Sequence, residues 1–218
     1  MFITFEGLDF CGKSTQAALL ARRLREPGPV PDLPPPSVIL LRDPGGTPIS
    51  ERVRDILLDR ASAEMGEISE LMLFSASRAQ LVAEIIRPAL SRGEIVLCDR
   101  FYDSTTAYQG FGRGVSLETI RQVNAIAADG AEPDLTILVD VGIEEIERRR
   151  ATAGQSSDRM ESAGRAFYER VRAGYLELAR AEQRRVVRID GMGPIEQVHA
   201  GIWDEVSRRM ITDHKHSA

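Results

Sequence analysis

The segment Gly7-Leu8-Asp9-Phe10-Cys11-Gly12-Lys13-Ser14 constrains this chain more than any other. It fits the spacing G-x-x-x-x-G-K-[ST]. Glycines there let backbone N–H groups turn inward onto phosphate oxygens, the lysine reaches the β- and γ-phosphates, and the serine hydroxyl holds Mg²⁺. Such a loop works between a strand and the start of a helix, whose N-terminus adds partial positive charge. The flanks agree: Phe2–Glu6 reads as a strand and Lys13–Arg25 as a helix. The expected nucleotide-binding set is therefore Gly7, Leu8, Asp9, Phe10, Cys11, Gly12, Lys13, Ser14 and Thr15. A chance glycine turn is the alternative, and this context weighs against it. Of the 28 basic residues only Lys13 and Lys215 are lysines, and Lys215 stands in a polar tail. The one lysine in the body of the chain thus falls inside the motif. By itself the loop establishes nucleoside triphosphate binding and does not name an acceptor.

The rest of the chain alternates strand and helix, the pattern of a parallel sheet covered on both faces. Further strands are expected at Val38–Leu41, Ile95–Cys98, Leu135–Asp140 and Val186–Ile189. Helices are expected at Ile49–Leu58, over the long pattern Ile68–Leu90, from an N-cap at Ser116 to Ala128, and from Pro194 to Met210. Two more flank the polar stretch ATAGQSS, one ending in ERRR and the next starting near Asp158. The prolines of Glu26–Ser37 forbid regular structure and make it a loop. With 218 residues, no repeat and no linker, the chain reads as one domain over 1–211 with a polar tail at 212–218. The polar stretch reads as a mobile flap, giving a lid at about 148–160.

Composition excludes some classes. A formal net charge of −5 argues against a general nucleic-acid binder. The opening MFITFEGL has no basic segment ahead of a long apolar run, and no apolar stretch approaches the length of a membrane span. Two cysteines, Cys11 and Cys98, are too few for a disulfide scaffold and point to a reducing cytoplasm. Cys11 stands at a helix start that would lower a thiol pKa, with a small packed residue as the plainer reading. The three histidines show no metal-ligand spacing.

The segments FEGLDFCGKST, RDPGGT, LFSASRAQ, DRFYDSTTAYQGFGRG and DRME resemble those of the thymidylate kinase family, and the likeness runs along nearly the whole chain. The fourth is the most specific, being similar to the family's D-R-x-x-x-S-x-x-A-Y-Q-G signature. The resemblance implies the P-loop nucleoside monophosphate kinase fold, an α/β architecture with a five-stranded parallel sheet, helices on both faces and a lid. It also implies Mg²⁺-ATP as donor, dTMP as acceptor and a homodimer. Rival readings are a kinase for dCMP, UMP or a deoxynucleoside, and a module that uses ATP as a switch. The acceptor segments argue against both.

Residue by residue, the resemblance implies these roles. Arg100 holds the dTMP phosphate, a task that suits its planar fork; a structural salt bridge is the alternative. Phe74 and Arg78, spaced i, i+4 on one helix face, stack on the base and donate to thymine O4. Taken alone they read as core and surface, with Leu71, Met72, Val82 and Ile86 available as core. Thr105 matches a position at the base N3 edge, Gln109 a nearby base-side position, and Tyr108 a tyrosine that crowds the sugar 2′ position and favours deoxyribose. Asp9 matches an acidic residue near the acceptor sugar and reacting phosphates, and with Ser14 makes the expected metal set. Relatives often carry Glu at the position of Asp43. Arg54 is a further candidate for the acceptor phosphate.

Phosphoryl transfer needs positive charge at the γ-phosphate. This phosphate loop contains no arginine, so the resemblance implies that the lid supplies it. Arg148, Arg149, Arg150 and Arg159 are the candidates, Arg149 and Arg150 first; a solvated basic helix end is the alternative. The expected catalytic set is Asp9, Lys13, Arg100, Arg149 and Arg150.

Overall fold

A computed structural model describes residues 1–26, 35–153 and 164–217. Five strands form one all-parallel sheet: β1 (Phe2–Glu6), β2 (Val38–Arg42), β3 (Ile95–Asp99), β4 (Leu135–Asp140) and β5 (Val186–Asp190), in spatial order β2-β3-β1-β4-β5. The helices are α1 (Lys13–Arg25), α2 (Pro48–Leu58), α3 (Glu67–Leu81), α4 (Arg87–Ser91), α5 (Tyr102–Thr105), α6 (Leu117–Ala128), α7 (Ile143–Ala153), α8 (Arg165–Ala181) and α9 (Ile195–Ser217).

The central strands β1 and β4 are buried throughout because both sheet faces are covered. Successive side chains point to opposite faces. Ile3, Phe5, Leu97 and Ile137 join the larger core with residues of α1, α8 and α9. Phe2, Val96 and Cys98 join a second core with Leu81 and Ile86 on the α3–α4 side. β1 and β3 are neighbours with Phe5 opposite Asp99. The phosphate loop after β1 and Arg100 after β3 therefore emerge side by side at the carboxyl end of the sheet, where open α/β sheets place ligands.

Five expectations shift. The pattern over 68–90 is two helices joined by a wide, π-helical turn at Val82–Ile86. Pro88 has no N–H for the carbonyl one turn back, and a wider turn absorbs the conflict. Met72 is 48% exposed and belongs to no core, whereas Leu71, Val82 and Ile86 are buried. Ser116 precedes α6 as expected but caps it with its backbone carbonyl rather than its side chain. α7 runs through ERRR to Ala153 without a break, and α8 begins at Arg165 after Gly164. The lid expectation thus divides: 148–153 are helical, and the flap beyond them, with Asp158 and Arg159, lies outside the described residues. The last helix continues past Met210 to Ser217, through the backbone of the polar tail. Most of the proline-rich loop is also outside the described residues.

Candidate active site

The phosphate loop is built as its spacing requires. Gly7 has φ 137°, and a Cβ there would meet the Val139 carbonyl oxygen at 2.5 Å and Cys11 Sγ at 2.9 Å. Gly12 has φ 97° and opens α1. Phe10 also has positive φ, 65°, a conformation that costs a bulky residue on the order of 1–3 kcal/mol. Packing and a clasp hold it there. Its side chain lies against the larger core, and Arg149 Nη1 donates to the carbonyls of Phe10 (3.4 Å) and Cys11 (3.2 Å). Arg149 also donates to Glu145 (2.7 Å) and to the Gly191 carbonyl (2.9 Å). It is thereby anchored from outside the loop rather than hanging beside the flap. Arg148 is 69% exposed at its side chain and pairs with Glu145. Arg150 lines a small hollow together with Asp9, Phe10, Glu147 and Arg165. Cys11 is 2% exposed, and burial pushes its thiol up against the opposing pull of Lys13, so it is a packed, inert residue.

Lys13 is buried and its Nζ points back into the loop, 3.3 Å from the Leu8 carbonyl and 3.5 Å from Asp9 Oδ1. The same Asp9 oxygen accepts from Arg100 Nη2 at 2.6 Å, while Oδ2 accepts from the Tyr108 hydroxyl at 3.1 Å. Burial alone would raise the Asp9 carboxyl; the charges of Arg100 and then Lys13 outweigh it and hold Asp9 well below the ordinary range. Asp9 thus ties the phosphate loop to Arg100.

Of the expected metal pair, Asp9 faces Lys13 and Arg100 in this structure and Ser14 faces the surface. The exposed Ser14 shares a surface hollow with Asp99. Asp99 Oδ1 is buried and accepts no hydrogen bond. An orphaned carboxylate oxygen beside the motif serine fits a hard divalent cation and its waters. Sequence reading puts Asp99, with Arg100, at the carboxyl end of its strand and gives it no role. Its signal was available: an acidic residue ending the strand that neighbours the phosphate loop.

Beyond Asp9 a cleft of about 570 Å³, counted to its open mouth, runs between α2, α3 and the segment after β3. Asp9, Asp43, Arg54, Phe74, Arg78, Arg100, Thr105, Tyr108 and Gln109 line it. All the expected acceptor residues therefore converge. Phe74 and Arg78 come from one face of α3. Thr105, Tyr108 and Gln109 come from α5 and the π-helical stretch Thr106–Gly112 that continues it. Packing favours that helical form: Gly112 sits against α8, where a Cβ would meet Phe167 at 2.6 Å.

Arg78 is 1% exposed, which overturns the plainer reading of it as a surface residue, while Phe74 is half-buried against the larger core. Arg78 Nε donates to Asp43 (2.6 Å), Nη1 to Asn124 (3.2 Å), and Nη2 to Thr105 Oγ1 (2.8 Å) and the Phe101 carbonyl (3.4 Å). Four contacts fix the plane of the guanidinium at the cleft wall. Asp43 supplies the counter-charge from inside the protein; burial still outweighs Arg78 and leaves its carboxyl above the ordinary range. Arg54 donates to the Pro44 carbonyl at 2.9 Å.

Arg100 has φ 70°. Its N–H donates to the Phe5 carbonyl (2.9 Å), and the next N–H, of Phe101, donates to Glu6 Oε1 (2.7 Å). Its Nη1 donates to Ser104 (2.9 Å) and Tyr175 (3.1 Å), and both of those hydroxyls reach Glu6 Oε2, at 2.6 and 2.9 Å. The fully buried Glu6 is thus the hub beneath the Arg100 loop. Burial, with Asp103 adding to it, raises its carboxyl to about 7. Nothing in the motif spacing marks Glu6; reading it as one more strand residue hid it.

Comparison with known proteins gives the family. The thymidylate kinase family model matches residues 5–202. A thymidylate kinase of Trichlorobacter lovleyi is 46% identical over 96% of this chain and 98% of that protein. That of Deinococcus radiodurans is 47% identical over 96% and 97%. The crystal structure of thymidylate kinase from Ehrlichia chaffeensis superposes with a TM-score of 0.74 at 36% identity, covering 94% of this chain and 97% of that one. A phosphate loop, an arginine tied to it by Asp9, and a cleft walled by Phe74 and Arg78 thus stand in a chain that matches these proteins nearly end to end, and the chain belongs to the thymidylate kinase family.

Proposed function

We propose that this protein moves the γ-phosphoryl group of ATP to the phosphate of dTMP, giving dTDP and ADP. The observation that carries the proposal is the bridge made by Asp9 Oδ1, between Lys13 Nζ at 3.5 Å and Arg100 Nη2 at 2.6 Å. It sets the donor-phosphate cation beside the acceptor-phosphate cation. An acceptor phosphate oxygen held by Arg100 attacks the γ-phosphorus, the bond from γ-phosphorus to the β–γ bridging oxygen breaks, and Lys13 stabilises the charge that collects on the leaving ADP. On binding of both substrates the two cations trade Asp9 for phosphate oxygens. Ser14 and Asp99 would hold Mg²⁺, whose bound charge screens the triphosphate. Phe74 stacks on the base, Arg78 donates to O4, Thr105 and Gln109 meet the N3 edge, and Tyr108 occupies the space a 2′-hydroxyl would need. The Arg149 clasp suits a residue that holds the loop in shape. The hollow that Arg150 lines with Asp9 and Phe10 supports it as the residue that meets γ-phosphate charge; Arg159 remains the second candidate.

The chain reads as one kinase domain over 1–211 with a lid, cytoplasmic, and a homodimer. Support for self-association comes from Ile49 and Ile56 on α2 and Ile68 and Met72 on α3, each 48–53% exposed on two helices that pack together. Among the described residues no helix is long and apolar enough to cross a membrane. The test is ADP release with ATP, Mg²⁺ and each of dTMP, dUMP, dCMP and UMP. Preference for dTMP over dCMP and UMP is expected; faster turnover of dCMP or UMP overturns the assignment.

A further inference from the structure

Glu70 stands one helical turn before Phe74 and two before Arg78, on the same face of α3. It is 1% exposed. A buried carboxylate is costly unless paired and hydrogen-bonded. Arg113 meets it, with Nε and Nη2 each 3.3 Å from its oxygens. Gln109 meets it as well, its Nε2 donating to Glu70 Oε1 at 2.9 Å.

That contact has a chemical consequence. A side-chain amide has a donor end and an acceptor end, and either can face a ligand. An ionised carboxylate only accepts. With Glu70 fixed in the wall, Gln109 must turn its nitrogen inward to Glu70. Gln109 is 1% exposed and lines the cleft. Among the described residues no hydrogen bond ends on its Oε1, and that oxygen is not a buried orphan. The atom it keeps for a ligand is an acceptor.

On the same wall Arg78 has four of its five N–H groups on protein acceptors among the described residues and keeps one, on Nη1, as a donor. A donor beside an acceptor matches a pyrimidine that carries a carbonyl at position 4 next to N3–H, as thymine and uracil do. Cytosine has an amino group at position 4 and a lone pair at N3, the reverse order, and would face donor with donor and acceptor with acceptor. We propose that Glu70 is a specificity-determining positioning residue, which selects lactam pyrimidines over cytosine by fixing the orientation of the Gln109 amide. The proposal rests on the cleft being the dTMP site.

The experiment measures kcat/KM for dTMP and for dCMP, at saturating Mg²⁺-ATP, in the parent, Glu70→Gln, Gln109→Ala and the double variant, with a melting curve for each. In Glu70→Gln the new side chain can offer a carbonyl as well as an amide, so Gln109 is released to present either end. The dTMP/dCMP ratio should fall about tenfold in Glu70→Gln and in Gln109→Ala, the worth of one oriented hydrogen bond. Glu70→Gln added to Gln109→Ala should leave the ratio where Gln109→Ala put it. A folded Glu70→Gln with an unchanged ratio overturns the proposal, as does an equal further drop in the Gln109→Ala background. Should Glu70→Gln not fold, Gln109→Ala decides: a parental ratio there removes the route by which Glu70 would act. A parent enzyme that prefers dCMP brings down the dTMP reading together with this inference, whereas a dTMP-preferring parent with unmoved variants brings down the inference alone.

Discussion

Replacing Asp43 with alanine probes the polar wall of the cleft at its buried ion pair. The Arg78 Nε to Asp43 Oδ2 contact is 2.6 Å, and the residues are 1% and 3% exposed. Arginine does not shed its proton to escape a bad environment. Removing the carboxylate leaves a buried charge facing only neutral dipoles from Asn124, Thr105 and the Phe101 carbonyl. Breaking a buried pair in this way costs about 3–5 kcal/mol. A domain of this size loses roughly 2–4 °C of Tm per kcal/mol, so Asp43→Ala should melt about 6–20 °C below the parent. Asp43→Asn keeps the shape and one acceptor and should lose about 1–2 kcal/mol. The informative variant is the double one, Asp43→Ala with Arg78→Met. Replacing an ion pair by apolar groups of similar volume is often neutral or stabilising, so the double variant should recover most of the lost Tm. It should not recover dTMP turnover, because the donor proposed for O4 is gone. Calorimetric Tm with kcat/KM for dTMP reads both. The reasoning fails if Asp43→Ala melts within about 2 °C of the parent, or if adding Arg78→Met restores no stability.

Lys13→Ala should lower kcat by ~10²–10³ with an unchanged Tm, and Lys13→Arg should not rescue it, because a planar fork does not fit the loop; near-normal activity in Lys13→Arg contradicts the cradle. Glu6 carries its carboxyl at about 7 against an ordinary 4.5. The native state therefore holds this proton more firmly than the unfolded chain, and the stability that follows is present below about pH 4.5 and lost as pH rises towards 7. Glu6→Gln has no such titration, so its stability relative to the parent should improve from pH 4.5 to pH 7.5 by up to ~3 kcal/mol; the same gap in urea midpoints at both pH values refutes this. Arg150→Ala should cut kcat far more than it raises KM for dTMP, as expected when a contact is made mainly in the transition state, whereas Arg148→Ala should leave kcat within twofold. Equal, small effects in both would place the positive charge elsewhere.

The parts of the fold legible in the sequence are those with strong periodicity. The five strands read correctly because each is a short apolar run bounded by turn residues, and the alternation with helices fixes a parallel sheet. The boundaries that moved answer to long-range packing. The segment after β3 carries Gly110 and Gly112 and no clean apolar stripe, so local pattern assigns it no helix; contact with α8 makes one. In the site, the residues expected at a ligand were legible as a set that lines one cleft, because a motif fixes their chemistry and spacing. The residues that brace them from behind were not. Glu6, Asp43 and Glu70 are carboxylates that local reading assigns to strand, turn and helix surface. Their meaning depends on Arg100, Arg78 and Gln109, each more than 30 positions away in the chain. Arg149 shows the converse: its place next to the flap suggested mobility, and its partners Phe10, Cys11 and Gly191 show an anchor.

The central claim is that donor and acceptor phosphates meet across Asp9, at the junction of the phosphate loop and the Arg100 cleft. The most direct test is to resolve products chromatographically after incubating the protein with ATP, Mg²⁺ and dTMP, and to quantify dTDP and ADP together. The account predicts one dTDP for each ADP, with negligible ADP when dTMP is left out, since Lys13 and Arg100 are tied to Asp9 until both phosphates arrive. ADP formed steadily without matching dTDP would show that water, and not a nucleotide in the cleft, receives the phosphoryl group, and would contradict it.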